Sequence, residues 1–189
     1  MRGPLTFDQL VRVRYVTKED KTCVTGIGSE WATAFSNNIM RAGKHYVTFP
    51  TNKNYDMRLM VGAMRPGKAS VNARSHPHHS SFYQNFSPNI GRGECNNNNN
   101  IHSCLFYSYN GHCFSSDWRG SEESRVGMES ISSGDEIGML LDLDEGTLSV
   151  YKNGRKLGVV EKGLAGPYCW VVSLYVGTQI TIKRGAILS

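Results

Sequence analysis

Apolar and polar positions along this chain follow strand periods. Val11-Arg12-Val13-Arg14-Tyr15-Val16 alternates apolar with mostly basic residues, the pattern of one strand with a face in the core and a face in water. Ile137 to Leu143 is instead almost wholly apolar, as a strand buried on both faces requires, and Thr147 to Tyr151 carries β-formers. Asp144-Glu145-Gly146 and Lys152-Asn153-Gly154 join these runs as tight hairpins. The Asn-Gly pair supplies the positive φ that a type I′ turn needs at both central positions. Residues 134–158 therefore predict a three-stranded antiparallel meander.

Further strand patterns lie at Trp31 to Phe35, Lys44 to Phe49 and Met57 to Met64. Leu105 to Tyr109 turns through Asn110-Gly111 into His112-Cys113-Phe114 by the same Asn-Gly argument. The last strands are Tyr168 to Leu174 and Gln179 to Lys183, with Gly177 in the turn. From Arg65 to Asn100 the chain is polar and interrupted by Pro and Gly, which predicts a long loop region with the Asn run 96–100 at its tip. Within it, Val71 to Arg74 and Ser81 to Phe86 each fit a short strand or one helical turn. Short strands without crossover helices predict an all-β fold, an antiparallel two-sheet β-sandwich. One domain over residues 1–189, with its core from about 11 to 184, is the organisation this implies.

Composition narrows the setting. The chain has 189 residues, 39% hydrophobic and 20% charged, with no apolar run long enough to cross a bilayer. Met1-Arg2-Gly3-Pro4 runs straight into polar residues, so a soluble, non-secreted protein is expected, with no membrane partner. Five cysteines, an odd number without Cys-x-x-Cys, argue against a disulfide framework and for the cytoplasm or nucleus. The net charge of +5 is unevenly spread: nine acidic residues between Asp117 and Glu145 face only Arg119 and Arg125. The densest basic group, Arg12, Arg14, Lys18 and Lys21, has Glu19 and Asp20 inside it, so nucleic acid is not an expected partner.

Candidate chemistry is sparse. Cys95, His102, Cys104, His112 and Cys113 are zinc-type ligands, but their spacing is not that of a site, and His76, His78 and His79 read as a polar loop. Asp142-x-Asp144-x-Gly146 starts like a calcium loop, yet Leu148 and Tyr151 hold the later positions, leaving a hairpin turn. No metal, cofactor or catalytic residue is expected. A cysteine–histidine enzyme lacks any elbow or oxyanion signature here.

Five elements in order resemble the SPRY domain family over about Val11 to Arg184. They are Gly43-Lys44-His45-Tyr46, then Val61-Gly62-Ala63-Met64, then Tyr107-Ser108-Tyr109-Asn110-Gly111. The fourth runs from Gly134-Asp135-Glu136-Ile137-Gly138 through Leu141-Asp142-Leu143 to Val150-Tyr151-Lys152-Asn153-Gly154. Gly163-Leu164-Ala165-Gly166-Pro167-Tyr168 with Val172-Ser173 closes the set. Tyr46 is followed by Val47 where the family often has Trp-Glu, and Tyr107 stands where Trp is usual. The resemblance implies a twisted, concanavalin-like jelly-roll sandwich. It also implies a non-enzymatic module that binds a short peptide or protein surface as an adaptor or scaffold, with substrate recognition for ubiquitination among its uses. Loops on a rigid scaffold would carry specificity, here around Gly26 to Ser29, Arg65 to Tyr83 and Leu174 to Gly177. Partner contacts are expected from Arg65, Tyr83, Tyr175 and Val176. The alternative is a carbohydrate-binding sandwich resting on Trp31, Trp118 and the Asn-rich loops.

Overall fold

The computed structural model describes residues 3–52, 58–69, 86–88, 101–117, 122–125, 127–175 and 177–187. Their strands are β1 (Phe7–Val11), β2 (Val13–Tyr15), β3 (Cys23–Gly26), β4 (Ala32–Ser36), β5 (Lys44–Pro50), β6 (Leu59–Met64), β7 (Gly67–Ala69) and β8 (Phe86–Pro88). After these come β9 (Ile101–Tyr107), β10 (Cys113–Asp117), β11 (Glu122–Arg125), β12 (Glu136–Asp142), β13 (Thr147–Lys152) and β14 (Arg155–Lys162). The last are β15 (Cys169–Leu174), β16 (Gln179–Thr181) and β17 (Lys183–Arg184). Among the described residues there is no helix, and every pairing is antiparallel.

A seven-stranded sheet in the order β1-β4-β15-β6-β9-β10-β11 faces a five-stranded sheet in the order β14-β13-β12-β5-β17. Alternate side chains of the first, including Ala34, Val61, Phe106 and Trp170, pack with Val47, Phe49, Met139, Leu141 and Val150 of the second. The intervening residues of the seven-stranded sheet are buried as well. Phe35, Met60, Leu105 and Val171 form a second apolar cluster on its outer face. The central strands β6 and β15 therefore read as nearly continuous apolar runs, and they are buried at every position.

The meander forms as the sequence implies. Asn153 and Gly154 take φ of 51° and 79°, the type I′ pair, between β13 and β14. Two other expectations need correction. Val11 to Val16 is two strands, because Arg12 takes a left-handed φ of 59° while its carbonyl accepts from Ile27 and its guanidinium pairs with Glu30. That residue turns the chain out of the seven-stranded sheet, so Val11 packs on the outer cluster and Val13 in the inter-sheet core. The Asn110-Gly111 turn is also wider than two residues. Ser108 donates its N–H to Leu59 and accepts from Ile131, both at 2.9 Å, and only Gly111 of the Asn110-Gly111 pair has positive φ. Val71 to Arg74, most of Ser81 to Phe86, and the Asn run lie outside the described residues.

Arg65 is corrected too. Read as a loop residue available to a partner, it is 1% exposed, with its guanidinium 4.2 Å from the centre of the Tyr168 ring and Nη1 donating to the Pro167 carbonyl at 3.2 Å. Its backbone N–H donates to the carbonyl of His102, itself buried. Desolvation by burial, reinforced by the charge of Arg65, pulls the His102 imidazole down to about 3.

Two outcomes test this architecture. A Cβ at Gly62 would fall 1.9 Å from the Cys104 carbonyl oxygen on the neighbouring strand, so Gly62→Ala should destabilise the fold by about 3 kcal/mol or more in urea unfolding. A wild-type midpoint would disprove that close approach. Because unfolded histidine titrates near 6.5 and native His102 near 3, the unfolded chain alone gains a proton in between. Stability should thus fall as pH drops from about 6.5 towards 3, and the slope between pH 6.5 and 4.5 should flatten in His102→Gln, measured by urea unfolding at each pH.

Candidate interaction surface

Antiparallel order decides which side chains meet at each end of the seven-stranded sheet. Leu174, the last residue of β15, pairs with Ala32 at the start of β4 and with Leu59 at the start of β6, and Met60 pairs with Tyr107 at the end of β9. Trp31, Arg58, Tyr107 and Tyr175 are therefore gathered at one end, though they are far apart in sequence. Tyr175 is fixed by its N–H on the Arg58 carbonyl at 3.2 Å and by a turn in which the Thr178 N–H donates to the Tyr175 carbonyl at 3.1 Å. Gly177 has φ of 78° in that turn. Gly26 passes close on the other side, where an added Cβ would sit 3.3 Å from the Tyr175 carbonyl oxygen.

The rings form a connected row. Tyr175 and Trp31 meet edge to face with centroids 5.8 Å apart, and Trp31 meets Tyr107 in the same way at 5.9 Å. Tyr107 continues to Tyr109 at 5.9 Å and to Phe114 at 6.5 Å. The Arg58 guanidinium lies over the Tyr175 ring, 4.0 Å from its centre. Such edge-to-face pairs and the cation–π contact hold side chains in fixed orientations while leaving ring area at the surface. Tyr109 is 56% exposed, and Ile27 in the adjoining loop is 48% exposed. Rigid rings beside one oriented arginine suit the burial of apolar side chains and a directed polar contact.

Of the residues read from sequence as partner contacts, Tyr175 lies in this row. Val176 and Tyr83 fall outside the described residues. Arg65 belongs to the opposite end. It follows Met64, which pairs with Cys169 at the far end of β15, roughly 20 Å from Tyr175 for six residues of strand. The loops after two antiparallel neighbours cannot share one end of a sheet, and Arg58, which precedes β6, takes the place that sequence reading gave to Arg65. Gly26, where the loop of Gly26 to Ser29 begins, stands beside Tyr175 and donates its N–H to the Thr178 carbonyl at 3.4 Å. Tyr107 and Tyr109 of this row are not among the residues read from sequence as partner contacts, and Trp31 enters there only for the carbohydrate alternative, although an aromatic residue at the start or end of a strand pattern was the available signal.

Cys104 and Cys113, the described thiols that neighbour His102 and His112 in sequence, are poorly suited to nucleophilic chemistry. Burial pushes the Cys104 thiol up, and it pushes that of Cys113 to about 11, so both are protonated at neutral pH.

The SPRY domain family profile matches residues 59–186, well over half of the chain. No curated protein matches the sequence. Among solved structures, the SPRY domain of human HERC1 superposes with a TM-score of 0.65 at 16% identity, covering 96% of this chain and 99% of that one. The TRIM65 PSpry domain gives 0.61 at 20% identity, covering 97% and 91%, and a human SPRY domain gives 0.58 at 14%, covering 96% and 100%. The profile, the two-sheet sandwich and the shared fold of these structures agree: the chain belongs to the SPRY domain family, whose members are in general protein–protein interaction modules rather than enzymes.

Proposed function

We propose that this chain recognises a short peptide or protein surface of a partner at the end of the sandwich marked by Tyr175, as an adaptor or scaffold. The observation that carries this reading is the row Tyr175, Trp31, Tyr107 and Tyr109, with Arg58 seated on Tyr175. Tyr, Trp and Arg are the residue types that dominate binding energy at interfaces, since each joins large contact area to a directional polar group. The row stands on strand termini rather than on long loops, so little ordering cost is left for the moment of binding. Presentation of a substrate for ubiquitination is one use of such a module. The odd cysteine count favours the cytoplasm, with nuclear access, as its compartment.

A comparison of captured proteins, by mass spectrometry from the native cell, tests the reading with wild type against a Tyr175→Ala, Arg58→Ala double variant. Partners specific to wild type should be depleted about tenfold or more in the double variant, whose thermal midpoint should stay close to wild type. Equal capture by both would place the binding surface elsewhere. A glycan array that bound wild type in a Tyr175-dependent way would favour the carbohydrate reading instead.

A further inference from the structure

The two lateral edges of the sandwich are closed differently. At one, Arg125 of β11 reaches Glu161 of β14 at 2.5 Å and the Val160 carbonyl at 2.6 Å, tying sheet to sheet. At the other, where β1 and β17 are the edge strands, a small three-stranded sheet in the order β16-β3-β2 covers part of the border, with Phe7 donating its N–H to the Lys21 carbonyl and Ile182 to that of Thr22. There Arg184 donates a hydrogen bond to the Gly3 carbonyl at 3.2 Å. Beside it a cleft of about 470 Å³ opens, and a smaller space of about 230 Å³ shares Asn38, His45 and Arg184 with it. Both lie at the Tyr168 end of β15. The segment that walls them contains Met40, which exchanges backbone hydrogen bonds with Tyr168 at 2.7 and 3.0 Å.

The charge of this cleft is one-sided. Arg41, His45 and Arg184 line the larger space and Lys44 the smaller; among the described residues neither lining includes an Asp or Glu, the nearest being Asp142, Asp144 and Glu145 around Lys44. Lys44 is already engaged by Asp142 at 3.2 Å. Arg184 is not: the partner it has is a neutral carbonyl, which leaves most of its five-donor fork unused. His45 spends Nε2 on the Ala42 carbonyl at 2.9 Å, which orients the ring in the cleft wall. The apolar surface is also uneven. Four large hydrophobic side chains stand exposed among the described residues; Ile27 and Tyr109 belong to the Tyr175 end, while Ile39 and Ile187, 45% and 51% exposed, line this cleft.

We propose that this cleft is a second interaction surface, which takes an acidic segment of a partner protein. A carboxylate of that segment would pair with the Arg184 fork, and its neighbouring aliphatic side chains would cover Ile39 and Ile187. A planar bidentate acceptor matches a guanidinium whose described partner is one neutral carbonyl, and the flanking isoleucines add apolar area that a free anion would leave wet. A single-stranded nucleic acid fits less well, since its bases call for open rings to stack on, and of the rings in the cleft wall Trp170 is buried while Tyr46 and His45 are only partly exposed.

The test selects random dodecapeptides displayed on phage against the intact protein and measures the affinity of individual peptides by fluorescence anisotropy. A class should emerge that places Asp or Glu beside Leu, Ile or Val. Its affinity should fall about tenfold or more in Arg184→Glu and in the milder Arg184→Gln, weaken with added salt, and be unchanged in Tyr175→Ala. Thermal midpoints near wild type keep the variants interpretable, and Arg184→Gln serves if the charge reversal does not fold. Absence of the class, or its indifference to both Arg184 variants, overturns the proposal. Loss in Tyr175→Ala would mean a single surface, and Arg184-dependent binding to phosphatidylserine vesicles without any such peptide would mean a membrane contact; either outcome overturns it too.

Discussion

Strand β15 is buried along its whole length and on both faces, and most of this structure follows from that. Trp170, Val172 and Leu174 face the inter-sheet core, while Cys169 and Val171 face the outer cluster. Its neighbours β4 and β6 must match it residue by residue, which fixes the register of the seven-stranded sheet. The close approach of β9 at Gly62 extends the same constraint one strand further. Everything chemically distinctive then hangs on the two ends of this strand, at Tyr168 and at Tyr175.

The sandwich was readable because its strands obey simple periods. The run from Ile137 to Leu143 and the Asn153-Gly154 turn require no tertiary knowledge, and the structure has them as the sequence implies. The misreadings share a cause. Val11 to Val16 alternates correctly, yet a left-handed Arg12 in the middle divides it between the seven-stranded sheet and the three-stranded sheet in the order β16-β3-β2, and local pattern carries no sign of that φ. Cys23 to Gly26 is too short and too polar in its flanks to declare itself, and it becomes β3 by pairing with β2 and β16. For the site, Tyr175 was legible as an aromatic in a turn after an apolar strand. Arg58 and Arg65 bracket β6 and look alike in sequence; strand direction alone puts one beside Tyr175 and buries the other against Tyr168.

Burial of Arg65 gives the two ends different characters. At the Tyr168 end a cation is held inside, stacked on a ring and satisfied by a backbone carbonyl, and the imidazole of His102 beside it is kept neutral. At the Tyr175 end the equivalent cation–ring pair stands outside, with Arg58 exposed. One pairing chemistry thus serves as a structural member in one place and as surface in the other, with solvent access as the difference.

The five-stranded sheet ends in β17, a strand of only two residues, Lys183 and Arg184, both exposed. A longer apolar strand there would offer its unpaired amides and carbonyls to any extended chain nearby, the first step of edge-to-edge aggregation. Two adjacent positive charges on a very short edge discourage that addition, since a second copy would bring its own charges against them. At this border, colloidal solubility rests on the same cations that a negatively charged visitor would neutralise.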